Sequence, residues 1–252
     1  MTQNEIVGEF THQAESFATS TVAQSSRTLD ELLRLVAPRA GQRWLEVACG
    51  PGIISRRLAG EVAQVHGIDV TPAMIKVARR EAAAAGTGNA TFALGDATAL
   101  TEPDGSFDGV ITRFSLHHIP APGRVVEEMA RVARPAGAIV IADHLADEDA
   151  DAAAWSQEIE RLRDPSHWAC LGLGRLRRLG RAAGLKLRDD VLLGLELDFD
   201  DWLARGSGGA AARDVIERLL ADPPAGARCF SVEERDGRRI LGLRMWAGRW
   251  VR

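Results

Sequence analysis

Residues 45–52 read LEVACGPG, and residues 66–79 read HGIDVTPAMIKVAR. The first stretch is an apolar run that ends in a glycine turn and leads into a helical pattern. The second is another apolar run with Asp69 at its tip, and the two together predict a strand–turn–helix–strand unit. Such a unit suits a nucleotide-like cofactor. Gly50 and Gly52 allow φ > 0 and leave room above the turn. The helix beyond opens with free N–H groups. An acid about 20 residues further on can accept from ribose hydroxyls. A dinucleotide fingerprint fails here, because Ala48 and Ile53 stand where its first and third glycines belong. A tight turn without a ligand is the plain alternative, and Asp69 argues against it.

Outward from this unit, strand and helix signals alternate. Strands are expected at 43–48, 64–69, 91–94, 107–112 and 137–143, and helices at 53–59, 72–85 and 123–132. This alternation predicts a parallel sheet covered by helices on both faces. Residues 1–40 carry helical spacing, with Phe10, Ala14 and Phe17 at i, i+4 and i+7. A helix through Leu176 and Leu179 stops at Gly184, a strand pattern follows at 185–197, and helical patterns occupy 199–203 and 214–220. Two final strands, 230–232 and 238–245, flank ERDG as a hairpin.

The chain has 252 residues, 46% of them hydrophobic and 26% charged, with a formal net charge of −4. This suits one domain with a sizeable core and lacks the basic footprint of a nucleic-acid binder. No stretch reads as a membrane span or a signal peptide. Cys49, Cys170 and Cys229 are scattered and form no CxxC pair, which fits a reducing, cytoplasmic setting. With no Tyr in the sequence, no tyrosine can serve as base or hydroxyl donor. Asp96, after the third strand, can accept from an exocyclic adenine amine or cap a turn. Met74 can pack on an adenine face or in the core.

LEVACGPG, GIDVTPAMIKVAR, GDATAL, FDGVITRFSLHHI and ARVARPAGAIVIAD, in this order, resemble class I S-adenosylmethionine-dependent methyltransferases. The resemblance is to the branch that includes the ubiquinone- and menaquinone-biosynthesis C-methyltransferases and related small-molecule enzymes. It implies an α/β, Rossmann-like, doubly wound, seven-stranded sheet, mostly parallel with the last strand antiparallel, plus helical lid elements. One domain over 1–252 would comprise an N-terminal helical lid (1–40), a cofactor-binding core (41–145), an inserted lid segment (146–175) and a C-terminal completion (176–252). The cofactor would be S-adenosyl-L-methionine, leaving as S-adenosyl-L-homocysteine. Glu46, Gly50 and Gly52 would border its methionyl part and Asp69 its ribose. Val70 and Met74 would flank the adenine, Asp96 and Ala97 would meet its amine, and Thr112 and Arg113 would lie near the sulfonium. Ala48 departs from the glycine of many members.

The acceptor would be a small molecule, aromatic, quinone-like or polyketide-like, methylated at carbon or oxygen by a monomer or homodimer. The Pro-Pro base-stacking element of many nucleic-acid amino-methyltransferases is absent, the equivalent position reading TRFSLHH. His117 is the expected general base and Arg113 the clamp for an anionic acceptor oxygen. A phenol near pKa ~10 and an imidazole near ~6.5 differ by roughly 5 kcal/mol, so a phenolate needs such a clamp. Phe17, His118, His144 and His167 are candidate acceptor contacts; Asp143 and His144 can equally be a solvated strand end. Trp155, Trp168 and Trp202 can line an aromatic pocket or fill the core. No metal site is expected, since adjacent histidines on a strand point apart and no cysteine or paired carboxylates complete a set. The alternative function is non-methylating use of bound S-adenosylmethionine, such as cyclisation.

Overall fold

The computed structural model describes residues 2–19 and 26–252. The expected N-terminal helical region is split into α1 (Gln3–Thr19) and α2 (Ser26–Val36); its residues 1 and 20–25 lie outside the described residues. The alternating part follows as β1 (Arg43–Val47), α3 (Ile53–Ala59), β2 (Gln64–Asp69), α4 (Pro72–Ala84), β3 (Ala90–Leu94), β4 (Phe107–Arg113), α5 (Pro122–Val132) and β5 (Ala133–His144). A 3₁₀ turn, Leu116–His118, separates β4 from α5. Next come α6 (Ala150–Arg163), α7 (Leu173–Ala182), β6 (Lys186–Asp198), α8 (Phe199–Arg205), α9 (Gly209–Ala221), β7 (Phe230–Arg235) and β8 (Arg238–Val251).

The strands form one sheet in the order β3-β2-β1-β4-β5-β8-β6, with β7 added beside β8. The pairs from β3 to β5 are parallel, and β8 runs antiparallel to both β5 and β6. The seven-stranded path that the resemblance implies is therefore present, and the eighth strand, β7, is the first strand of the hairpin read from the sequence. With β6 along one edge, β8 is long enough to serve two more neighbours along the other. Residues 238–243 pair with β7 and residues 245–251 with β5. The strand runs past the expected end at Met245 to Val251, and Gly248 leaves space for the Trp246 ring. The hairpin turn is Asp236-Gly237, both at positive φ, as a two-residue turn of matching twist requires.

Neighbouring strand residues go to opposite faces, which explains the continuous apolar runs of a sheet buried on both sides. Trp44, Ile111 and Val140 belong to one core with Leu32, Leu58 and Phe199. Leu45, Val110 and Ile139 belong to the other, with Val125, Met129 and Leu176. Thus α2, α3 and α8 pack on one face, and α5 and α7 on the other. Trp155 and Trp202 join the first core, and Trp168 packs against the second; none of the three borders the cavity described below.

One glycine in the central strands is fixed by close approach. Gly109 is the register partner of Trp44, and a Cβ there would lie 2.4 Å from the buried indole. Gly109→Ala is expected to lower the stability of the ligand-free protein by about 1–3 kcal/mol through overpacking. A urea unfolding midpoint that falls with an unchanged slope would show it; an unchanged midpoint would mean that the indole can move aside freely.

Candidate active site

The sheet order reverses at β1, with β2 on one side and β4 on the other. In open α/β sheets the crevice beyond the strand ends at such a point is where ligands sit. Here it holds a cavity of about 370 Å³, with Glu46, Asp69, Asp96 and Arg113 set among Ile54, Val70, Met74 and Phe114. Each charged residue is at or just beyond the C-terminal end of a different strand.

The floor is the glycine turn. Ala48, Gly50 and Gly52 have φ of 53°, 50° and 73°. Left-handed backbone costs an L-residue free energy, which is why glycine suits position 48 and why the small alanine is tolerated there. Asp69 fixes the turn. One carboxylate oxygen accepts from Gly50 N at 2.8 Å and the other from Thr71 N at 2.9 Å. Burial raises its pKa, and these backbone donors oppose the shift. Gly52 faces away from the cavity, and a Cβ there would lie 2.6 Å from the Phe92 ring. Its role is close packing of the turn on β3.

Glu46 accepts from Ser55 N at 2.8 Å and Ser55 Oγ at 2.5 Å. Burial pushes its pKa up to about 7, with Ser55 and Arg113 holding it down. Burial brings Arg113 down to about 10 against the pull of Glu46, and its guanidinium lies 4.2 Å from the Phe114 ring centroid. Asp96 accepts from Thr98 N and Oγ1, while its other oxygen takes Gln3 Nε2 at 3.3 Å. Phe10 and Phe17 of α1 also face the cavity, and Met74 packs in one cluster with Ala14 and these two rings. The N-terminal helix is thus a wall of the site.

The structure brings Glu46, Gly50, Asp69, Val70, Met74, Asp96, Ala97 and Arg113 to the cavity, together with Phe17 and His118. Thr112 is beneath the wall, where its hydroxyl donates to Val47 O at 2.8 Å and bonds Ser115 Oγ. No residue of the 146–175 segment borders the cavity. Sequence reasoning missed Gln3, Ile6 and Phe10 as wall residues, although the spacing of Phe10, Ala14 and Phe17 carried the signal.

Behind the wall lies a histidine cluster. Phe114, at φ 52°, turns the chain out of β4 and into the 3₁₀ turn. The adjacent histidines therefore do not point apart as on a strand; their ring centroids are 4.2 Å apart. His118 borders the cavity edge-on to Phe10 at 4.7 Å, and its Nδ1 lies 3.0 Å from Ser166 O. His117 sits deeper, outside the cavity wall. Its Nδ1 is 2.6 Å from Asp143 Oδ1. Asp143 also accepts from the backbone N–H groups of His117 and His144. Asp143 and His144 are 2% and 8% exposed, which overturns the solvated strand end. His144 packs against His117 at 4.0 Å, and His167 Nε2 bonds Gln157 Oε1 at 2.6 Å. Burial drives the pKa values of His117 and His144 well below the ordinary imidazole range.

The donor set suits S-adenosylmethionine. Three carboxylates face a molecule that offers an ammonium, ribose hydroxyls and an adenine amine, and apolar side chains fill the spaces between them. Asp69→Ala is expected to weaken its binding at least about tenfold by calorimetry, since the turn that floors the cavity loses its tie. Unchanged affinity would remove Asp69 from the site. The raised Glu46 makes a second prediction. Below about pH 7 the folded protein keeps a proton on Glu46 that the unfolded chain has lost above about 4.5, so ligand-free stability falls as pH rises through that window. Attraction of the cationic cofactor needs the ionised form, so affinity should rise about tenfold from pH ~5.5 to ~7.5. Glu46→Gln should flatten this dependence; a profile with the same slope in the variant would assign it to another group.

Comparison with known proteins agrees with this site. A family model described as "Methyltransferase domain" matches residues 38–183. An uncharacterized methyltransferase of Bacillus subtilis, YcgJ, is 30% identical over 211 residues, 83% of each chain. Its crystal structure covers 90% of this chain and 98% of its own, with a TM-score of 0.82. A demethylmenaquinone methyltransferase of Clavibacter sepedonicus is 40% identical over 110 residues, 44% of each chain. A 27-O-demethylrifamycin SV methyltransferase of Amycolatopsis mediterranei is 35% identical over 123 residues, 48% of this chain and 45% of that one. With its Rossmann-like sheet and its carboxylate-lined cavity, the chain belongs to the methyltransferase-domain family, and its cofactor is S-adenosylmethionine.

Proposed function

We propose that this protein transfers a methyl group to an oxygen or carbon of a small acceptor that is aromatic, quinone-like or polyketide-like. The observation that carries this reading is the His118 ring at the cavity wall, with the His117–Asp143 pair directly behind it. Phe10, Phe17 and Phe114 make the surrounding wall apolar and aromatic. The menaquinone and rifamycin relatives act, by their names, on acceptors of this kind.

S-adenosylmethionine supplies an activated methyl group on a sulfonium, so the protein has to position the acceptor, exclude water and remove a proton. Arg113, which borders the cavity, would stabilise an anionic acceptor oxygen. His118 Nδ1 donates to Ser166 O, a tautomer assigned from its partner, which leaves Nε2 as the proton acceptor. His117 donates Nδ1–H to Asp143 in the same sense. We therefore assign the base to the histidine pair rather than to His117 by itself. His118 meets the acceptor first, and His117 is held behind it by Asp143.

His118→Ala and His117→Ala are each expected to cut kcat about 10²–10⁴-fold and about tenfold or more, respectively, with S-adenosylmethionine affinity retained. The assay follows methyl transfer to a panel of phenols and naphthoquinols. Losses below about tenfold in both variants would overturn the base assignment. Cofactor binding with no transfer to any acceptor would favour non-methylating use of the bound cofactor.

A further inference from the structure

We propose that His117, Asp143 and His144 form a binding site for a divalent transition-metal ion of the Zn²⁺ or Co²⁺ type, set behind His118. Each residue offers a ligand atom, and the three atoms lie within 4.8 Å of one another. All three residues are buried. Asp143 and His144 end β5, and His117 sits in the 3₁₀ turn that follows the paired strand β4, so the β4–β5 pairing brings the three together. Two imidazoles and one carboxylate suit Zn²⁺ and Co²⁺ better than Mg²⁺ or Ca²⁺, which prefer all-oxygen shells. Three protein ligands are also the number in catalytic zinc sites, which keep a further position open.

The surroundings fit the same reading. Ligand groups in metal sites are held from outside by further hydrogen bonds and carboxylates. Asp143 is fixed by the backbone N–H groups of His117 and His144. Glu160 Oε1 lies 4.0 Å from His144 Nδ1 and, among the described residues, has no hydrogen-bond partner although it is buried. A bare buried carboxylate oxygen is costly, and a cation on His144 would compensate it. Binding of the ion would displace the proton that His117 Nδ1 shares with Asp143 Oδ1. That proton leaves to solvent and no oxidation state changes, so the pair orients the base in the metal-free state only.

The test uses the full-length protein, freed of metal with a chelator and titrated with Co²⁺, with bound ion measured by equilibrium dialysis and visible absorption. The expected result is about one Co²⁺ per chain, displaced by Zn²⁺, with the absorption of a low-coordinate site. Asp143→Asn and His144→Ala should each weaken binding at least about tenfold, and Glu160→Gln by less. Cys170→Ser is the control, because Cys170 Sγ lies 3.5 Å from His144 Nε2 but outside the triad. S-adenosylmethionine calorimetry shows that each variant remains folded. If a variant does not fold, Co²⁺-induced shifts of the His117 and His144 imidazole protons in the wild type report the same site. Absence of binding, or binding abolished by Cys170→Ser and spared by the triad variants, overturns the proposal. The measurement needs no acceptor, so it stands or falls independently of the methyl-transfer reading.

Discussion

Both oxygens of Asp69 are used by the backbone, one holding the turn after β1 and the other the entry to α4. This single carboxylate ties two parallel βα connections together at the point where the strand order reverses. Ala48, Gly50 and Gly52 sit in left-handed backbone, which is unfavourable for the alanine and needs support from outside the turn. The cavity floor, the reach of Glu46 from β1 and the position of Met74 on α4 all follow from that tie. The carboxylate expected to meet ribose hydroxyls thus also builds the floor of the cavity.

On the β4–β5 side of the cavity the organising constraint is burial of polar groups. The rings of His118, His144 and His167 lie 4.2, 4.0 and 5.7 Å from that of His117 by centroid, close to Asp143, Glu160 and Arg163. In such a space burial favours the neutral form of His117, His144 and His167, and a hydrogen-bond partner sets which ring nitrogen carries the proton. Asp143 does this for His117 and Ser166 O for His118. Asp164 in turn accepts from Ser166 N and Oγ, so the partner of His118 is itself fixed.

The alternating half of the fold was legible because a sheet buried on both faces leaves apolar runs punctuated by glycine, and the acids fall at the ends of those runs. Glu46, Asp69 and Asp96 could be read from their place after a strand. The site's other side was not legible, because it depends on contacts between distant segments. Nothing near Gln3 in the sequence announces that it will bond Asp96, and nothing in DPSHW says that Ser166 will face His118. The misreading of His117 and His118 as strand residues pointing apart has a local cause. A positive φ at Phe114, a residue that rarely adopts one, converts the expected strand end into a tight turn. Thr112 and Gly52 were matched to the right motifs, but their side of the backbone is decided by packing that spacing cannot show.

The first helix of the chain is held by residues far along it. Gln13 Nε2 donates to Asp164 Oδ2 at 3.0 Å, and Glu9 accepts from Ser207 N at 2.9 Å, across separations of 151 and 198 residues. During synthesis, domains fold from the N-terminus as chain emerges, and contacts between distant residues close late. The helix that walls the cavity can therefore pack on Met74 and Val77 of α4 early, while its ties to Asp164 and Ser207 close among the last. The enclosed chamber gains its full set of ties only once α8 and the turn after it have been made.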